Sequence, residues 1–108
     1  DEMSSRGLGD VYKRQFIVRA RGDSMIGSGI YPGDLLIVDR SIKPRNNSII
    51  IAVLDGELSV KILKMENKQV CLSSSNKNYV DVLVSEEMDF TIWGVCTNVV
   101  HSLSPKNR

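Results

Sequence analysis

The sequence predicts an all-β domain, built as a barrel or a sandwich, because strand-forming segments alternate with turn-forming residues along most of the chain. Seven short segments are rich in Val, Ile and Leu, which favour strands. No segment shows the spacing of apolar residues that is typical of an amphipathic helix. The predicted strands cover residues 16–20, 35–39, 49–54, 57–64, 69–73, 80–84 and 90–100.

The segments between these strands are rich in Gly, Pro, Asn, Asp and Ser, the residues that favour turns. They cover residues 31–34, 43–47, 55–56, 66–68 and 73–78. The pair Asp55-Gly56 gives the clearest hairpin prediction, because a type I′ turn needs a positive φ at both central residues. We therefore expect the strands on either side of this pair to form an antiparallel hairpin.

The length of the chain, 108 residues and 12.0 kDa, corresponds to one domain. Residues 1–15 have no sustained apolar pattern and differ in character from the remainder. We interpret them as a disordered or non-native N-terminal arm, and residues 16–108 as the folded domain.

Composition narrows the classes of function. The net charge is only +1, with 14 Lys and Arg against 13 Asp and Glu, so direct DNA binding through phosphate contacts is disfavoured. The longest apolar run, residues 49–54, is far shorter than a membrane span, and no leader peptide is visible, so we expect a cytoplasmic protein. Neither Cys71 nor Cys96 lies in a metal-binding spacing, so we expect two reduced cysteines and no metal or cofactor.

Ser24 is the candidate nucleophile. Gly22 precedes it and Gly27 and Gly29 follow it, and glycines allow a loop to turn several backbone N–H groups toward one point. A nucleophilic serine needs a base and donors that stabilise the developing oxyanion. The alternative interpretation of this segment is an ordinary polar turn after a strand.

Lys61 is the candidate base. Strand alternation places it on the face of Ser59 and Leu63, and a lysine that packs inward is desolvated and gives up its proton more readily. The neutral amine can then accept the serine proton. The alternative is a lysine whose stem lies along the surface with its amine in water.

Two other residues are weaker candidates for the base. His101 is the only histidine, but it lies in the C-terminal tail, so a Ser-His-Asp triad is disfavoured. Lys64 falls on the strand face opposite Lys61 and is expected to be solvated.

Ser74-Ser75-Asn76-Lys77 fits the pattern S-x-x-K, but it lies in a polar loop without a helical pattern and is set aside. The residues alone leave the base undecided.

The chain resembles the UmuD branch of the LexA-like serine peptidases. The resemblance lies in residues 18–39, which hold Gly22-Asp23-Ser24-Met25, and in residues 55–61, which end at Lys61. Residues 90–95 are similar to the last core strand of that family. The similarity extends from residue 16 to about residue 103, and both motifs occur in the order and separation of the family.

This resemblance implies a β-rich, self-cleaving serine peptidase in which Ser24 is the nucleophile and Lys61 the unprotonated base. It also implies an oxyanion hole formed by the backbone N–H groups of Asp23 and Ser24. The implied partners are a second copy of the chain, a RecA–single-stranded DNA filament and a Y-family, UmuC-like DNA polymerase. Together they imply error-prone translesion synthesis in the SOS response to DNA damage, without a cofactor and without sequence-specific DNA binding.

Members of this family are cut at an Ala-Gly or Cys-Gly bond in the arm, whereas this chain offers only Arg6-Gly7 and Leu8-Gly9. We therefore expect little self-cleavage. Two alternatives stay open. The first is the C-terminal dimerisation and autocleavage domain of a LexA-type or phage-type repressor. The second is a non-catalytic β-rich binding module in which Ser24 and Lys61 do not meet.

Overall fold

The computed structural model describes residues 5–7 and 14–104, which form eight β-strands and one short 3₁₀ helix. The strands are β1 (Ser5–Gly7), β2 (Gln15–Arg19), β3 (Leu35–Asp39), β4 (Ile49–Leu54), β5 (Glu57–Glu66), β6 (Gln69–Ser73), β7 (Val82–Val84) and β8 (Phe90–Val100). The 3₁₀ helix covers Ile26–Ser28. Each of the seven predicted segments forms a strand, β2 to β8, so the all-β prediction is confirmed.

All eight strands join in one antiparallel sheet with the order β1-β2-β3-β8-β4-β5-β6-β7. The described residues form a single sheet with β1 and β7 at its edges, and side chains of β2, β3 and β4 pack into one apolar cluster within it. The last long strand, β8, lies in the middle of the sheet and pairs with both β3 and β4. This pairing joins the first strands of the chain to the β4–β7 part of the sheet.

The two hairpins around β5 have tight turns. Asp55 and Gly56 have φ values of 50° and 86°, as the predicted type I′ turn requires, and Leu54 pairs with Glu57. The next turn uses Asn67 and Lys68, which also have positive φ, so β5 continues to residue 66 rather than ending at residue 64. Both turns fix the register of β5 against its neighbours.

The interior has two apolar clusters, one on each side of β4. Successive residues of this strand alternate between them, because side chains alternate across a strand. This explains why β4 is a continuous apolar run, as expected of a strand that is buried on both faces. The first cluster contains Val18, Ala20, Met25, Ile30, Leu36, Val38 and Ile51. The second contains Ile50, Ala52, Leu63, Leu72 and Val95.

The N-terminal arm is described only in part. Residues 5–7 form β1, whose backbone pairs with β2 from Ser5 opposite Val18 to Gly7 opposite Phe16. Residues 1–4 and 8–13 of the predicted arm lie outside the described residues, so the domain boundary stays a prediction. Within the described residues, no helix has the length and apolar character needed to cross a membrane.

Asp39 ends β3 with a compact set of hydrogen bonds. Its Oδ1 accepts bonds from the hydroxyl (2.5 Å) and the backbone N–H (2.7 Å) of Ser41. Its Oδ2 accepts a bond from Gln15 Nε2 at 3.2 Å. The bonds from Ser41, and then that from Gln15, lower the pKa of Asp39 below its ordinary value of 3.8.

This lowered pKa predicts how Asp39 contributes to stability as the pH changes. The ionised carboxylate stabilises the folded state above pH 3.8, and this contribution is lost as the pH falls through the lower pKa of the folded state. Thermal melts of the wild type and Asp39→Asn should therefore differ most at neutral pH and converge in acid. Asp89→Asn, at an exposed carboxylate, is the control. A difference between wild type and Asp39→Asn that stays constant from pH 7 to pH 3 would contradict this role.

Candidate active site

Ser24 lies in the loop between β2 and β3, and this loop is fixed at both its base and its tip. At the base, the Ala20 N–H donates to Asp34 O (2.8 Å) and the Gly33 N–H donates to Ala20 O (2.9 Å). At the tip, Met25 is only 2% exposed and packs in the first apolar cluster. Because Met25 is buried next to it, Ser24 is held at the edge of the core rather than on a free loop.

The half-buried Ser24 side chain lines a small cavity of about 60 Å³. One wall of this cavity is the Ser24 loop itself, and the other wall is formed by Ser59 and Val60 of β5. These two residues immediately precede Lys61. The fold therefore brings the β2–β3 loop against the part of β5 that carries the candidate base.

Two backbone donors beside Ser24 make no hydrogen bond to any other residue that the structure describes. Within residues 14–104, neither Asp23 nor Ser24 donates its backbone N–H to another group, and the Ser24 hydroxyl makes no hydrogen bond. Gly22, with a φ of 74°, turns the chain just before them. Unused N–H groups beside a cavity are what an oxyanion hole requires, so this geometry is compatible with the predicted roles.

Lys61 lies on β5 opposite Ile50 of β4 and is half-buried. Val60 and Ile62 pack toward the first apolar cluster, whereas Leu63 belongs to the second, which confirms the predicted alternation along this strand. The Lys61 Nζ donates a hydrogen bond to Ser74 Oγ at 2.9 Å. It also lies 5.8 Å from the centre of the Tyr79 ring.

Lys64 and His101 are placed elsewhere. Lys64 is exposed, as predicted, and its Nζ donates to Asn47 Oδ1 at 2.6 Å. His101 lies beside the buried Asp34, with 3.5 Å between His101 Nδ1 and Asp34 Oδ2, and its ring packs edge-on against Tyr31. Neither residue lines the cavity beside Ser24.

Residues 74–79, which we name the bridging loop, bind the Ser24 loop as well as Lys61. Gly27 N–H donates to the backbone oxygen of Ser75 at 2.7 Å, and the hydroxyls of Ser28 and Ser75 are hydrogen-bonded. The two segments are in close contact here, since a Cβ on Gly27 would lie 2.6 Å from that oxygen. The bridging loop thus packs directly on the loop that carries the candidate nucleophile.

The other end of the bridging loop binds Asp23, the neighbour of Ser24. Asn76 Nδ2 donates to the Asp23 backbone oxygen at 2.8 Å, and the Tyr79 hydroxyl donates to Asp23 Oδ1 at 2.5 Å. The hydrogen bond to Asp23, followed by desolvation, raises the pKa of Tyr79 above its ordinary value of 10.0. The phenol therefore keeps its proton, and its bond to Asp23, throughout the neutral pH range.

Ser74, Asn76 and Tyr79 were not singled out as site residues by the sequence analysis, which set the loop aside. A signal for Ser74 was present in the hairpin that follows Lys61. In the β5–β6 register Ile62 pairs with Ser73, so the next position on each strand brings Lys61 opposite Ser74. The contacts of Asn76 and Tyr79 with Asp23 join residues more than 50 positions apart, and no local pattern indicates them.

The cysteines do not form a second nucleophilic site. Neither Cys71 nor Cys96 forms a disulfide, and both are half-buried. Burial raises the pKa of Cys96 from 9.0 to about 12, and desolvation followed by the charge of Asp81 raises the pKa of Cys71. Both thiols are therefore protonated near neutral pH. In the described part of the chain, no group of three or more His, Cys, Asp or Glu residues could hold a metal ion.

The structure thus brings Ser24 next to β5 and connects it to Lys61 through the bridging loop. It does not form a hydrogen bond between the Ser24 hydroxyl and Lys61 Nζ among the described residues. Catalytic hydrogen bonds are often long or poorly aligned without substrate and tighten when substrate binds. The assignment of Ser24 and Lys61 as catalytic residues stays a prediction.

Comparison with known proteins identifies relatives over most of the chain. The Peptidase S24-like family model matches residues 6–97. The LexA repressor of Dechloromonas aromatica is 35% identical over 95 residues, which cover 87% of this chain and 47% of that protein. Protein ImpA of Salmonella typhimurium is 40% identical over 86 residues, covering 80% of this chain and 58% of that protein. The chain spans about half the length of the curated relatives it matches.

Proposed function

This chain belongs to the Peptidase S24-like family, and we propose that it is a serine peptidase with Ser24 as nucleophile and Lys61 as general base. The observation that carries this proposal is the cavity that Ser24 shares with Ser59 and Val60, the two residues before Lys61. The Ser24 loop and the segment of β5 that immediately precedes Lys61 meet at this cavity, which supports the proposed pair, although Lys61 itself does not line it. An isolated polar turn would not require such a convergence.

In the proposed mechanism, the uncharged Lys61 amine accepts the proton of the Ser24 hydroxyl as the serine oxygen attacks the carbonyl carbon of a peptide bond. The tetrahedral intermediate collapses when Lys61 returns that proton to the leaving amine nitrogen, which breaks the peptide C–N bond. Water then attacks the resulting ester with Lys61 again acting as base. Hydrolysis of the ester releases the acid and restores the Ser24 hydroxyl.

The backbone N–H groups of Asp23 and Ser24 are the proposed oxyanion donors. They are unused in the described structure, and their neighbour Met25 is buried, so they can be held in place before substrate arrives. Donors that are fixed in advance stabilise the developing negative charge without further reorganisation. Asp23 itself is restrained by hydrogen bonds from Asn76 and Tyr79 of the bridging loop, whereas Met25, on the other side of Ser24, is held by burial.

For the cellular role, we propose a UmuD-like accessory subunit of an error-prone DNA polymerase in the SOS response. In this role two copies form a dimer in the cytoplasm, a RecA–single-stranded DNA filament promotes cleavage, and a Y-family polymerase is the partner. The Gly22–Met25 motif and the segment from Asp34 to Asp39 support this branch of the family. The net charge of +1 is compatible with a protein whose partners supply the DNA contacts.

A fluorophosphonate probe tests the proposed chemistry, because it reacts with a serine whose hydroxyl is activated by a base. We expect labelling of wild-type protein at Ser24, located by peptide mass spectrometry, and none in Ser24→Ala. Lys61→Met should lower the labelling rate by at least about 100-fold, the usual contribution of a general base.

Lys64→Met is the matched control, since Lys64 lies on the same strand but is exposed and bonded to Asn47. It should be labelled at the wild-type rate. Two results would show that the proposed pair is not the catalytic machinery. The first is labelling of Ser24→Ala at the wild-type level, and the second is an equal labelling rate for Lys61→Met and Lys64→Met. Either result would favour a non-catalytic binding module.

A second candidate role is the C-terminal dimerisation and self-cleavage domain of a transcriptional repressor. It is supported by LexA repressors among the relatives, one of which aligns with 87% of this chain over less than half of its own length. The peptidase chemistry would be the same in this case. The difference would lie in the sequence that adjoins this domain and in its partners.

Partner capture distinguishes the two roles. Immobilised wild-type protein is incubated with a purified Y-family polymerase and, separately, with RecA assembled on single-stranded DNA. A UmuD-like subunit should retain both, and a repressor domain should retain only the RecA filament. Retention of neither partner would contradict both roles. A DNA-binding helix-turn-helix encoded just upstream in the same reading frame would independently favour the repressor.

A further inference from the structure

We propose that Ser74 is a positioning residue for the peptidase reaction, whose hydroxyl holds the Lys61 amine toward the Ser24 loop. This inference rests on the proposed function and adds to it a residue outside the predicted pair. It is carried by the hydrogen bond from Lys61 Nζ to Ser74 Oγ at 2.9 Å. Both residues are half-buried, so this contact is partly shielded from water.

The position of Ser74 is fixed from two sides. It follows β6 directly, and the β5–β6 register places it opposite Lys61. The next two residues, Ser75 and Asn76, bind the Ser24 loop through its backbone at Gly27 and Asp23. The acceptor for the lysine amine is therefore fixed relative to the candidate nucleophile.

Lys61 needs such an acceptor because a lysine amine stands at the end of a flexible four-carbon stem. Without a partner at its tip, the amine would sample many rotamers, few of which point toward Ser24. A neutral amine has two N–H donors and one lone pair. When one N–H donates to Ser74, the lone pair stays available to accept the Ser24 proton.

Substitution of Ser74 tests this inference with the same fluorophosphonate probe. Ser74→Ala should label Ser24 about tenfold more slowly than wild type, because one hydrogen bond that orients the base is lost. Ser74→Thr keeps the hydroxyl and should stay within about threefold of the wild-type rate. If Ser74→Ala melts at a lower temperature, the labelling rates of Ser74→Ala and Ser74→Thr are compared with wild type at a temperature at which all three proteins are fully folded.

Ser73→Ala is the matched control. Ser73 is the adjacent serine, and its hydroxyl donates to Asp81 at 2.9 Å rather than contacting Lys61. This variant should be labelled at the wild-type rate. An equal loss of labelling in Ser73→Ala and Ser74→Ala would indicate general loosening of the loop and would overturn the specific role of Ser74.

Proton NMR of the Lys61 side chain supplies a readout that general stability does not change. In the wild type, a held amine should give two distinct shifts for the ε-methylene protons. In Ser74→Ala these shifts should merge as the side chain averages over rotamers, and Ser74→Thr should restore them. Lys64, on the opposite strand face, should keep its shifts in all three proteins.

The possible outcomes separate the two proposals. Slow labelling of Ser74→Ala with merged Lys61 shifts, restored by Thr, supports the assignment. Wild-type or faster labelling of Ser74→Ala overturns it while leaving the peptidase intact, and faster labelling would mean that the hydroxyl holds the amine away from Ser24. A wild-type protein that is not labelled contradicts the proposed function and this assignment with it.

Discussion

The packing of the bridging loop against the Ser24 loop is the constraint on which the rest of the candidate site depends. Ser24 lies in the loop between β2 and β3, whereas Lys61 lies on β5, which pairs with neither of those strands. The bridging loop joins the two parts, because it binds Asp23 and Gly27 on one side and Lys61 on the other. The relative position of the candidate nucleophile and the candidate base therefore depends on these loop contacts, and the strands beneath the loops stabilise them.

The sheet holds these loops in position because β4 is buried on both faces and β8 pairs with strands on either side of it. β4 is buried on both faces and separates the two apolar clusters, so the Met25 side of the sheet and the β5–β6 hairpin each have their own core. β8 pairs with β3 and β4 and so joins the two parts into one sheet. Burial of apolar side chains beneath the Ser24 loop, such as Met25 and Ile30, consequently stabilises its position.

The sequence was sufficient to predict the strands and turns, which depend on neighbouring residues, but not the contacts between segments that are distant along the chain. The seven strands, the Asp55-Gly56 turn and the alternation around Lys61 follow from residue types and strand geometry. The position of β8 between β3 and β4 does not, because it depends on contacts between distant segments. The predicted strand 80–84 shortens to Val82–Val84 because the chain leaves the sheet there, where Tyr79 reaches Asp23 and Val80 is 83% exposed. Ser74 was considered only as part of an S-x-x-K pattern and set aside, because its contact with Lys61 follows from the β5–β6 register and not from that pattern.

A crystal structure of the protein with Ser24 covalently bound to the fluorophosphonate tests the central claim most directly, through the distance from Lys61 Nζ to Ser24 Oγ. The account predicts a separation within hydrogen-bond reach, about 2.6–3.2 Å, with Lys61 still bonded to Ser74. It also predicts that a phosphoryl oxygen accepts hydrogen bonds from the backbone N–H groups of Asp23 and Ser24. A Lys61 amine that stays beyond reach of the bound serine, or that points into solvent, would contradict the account.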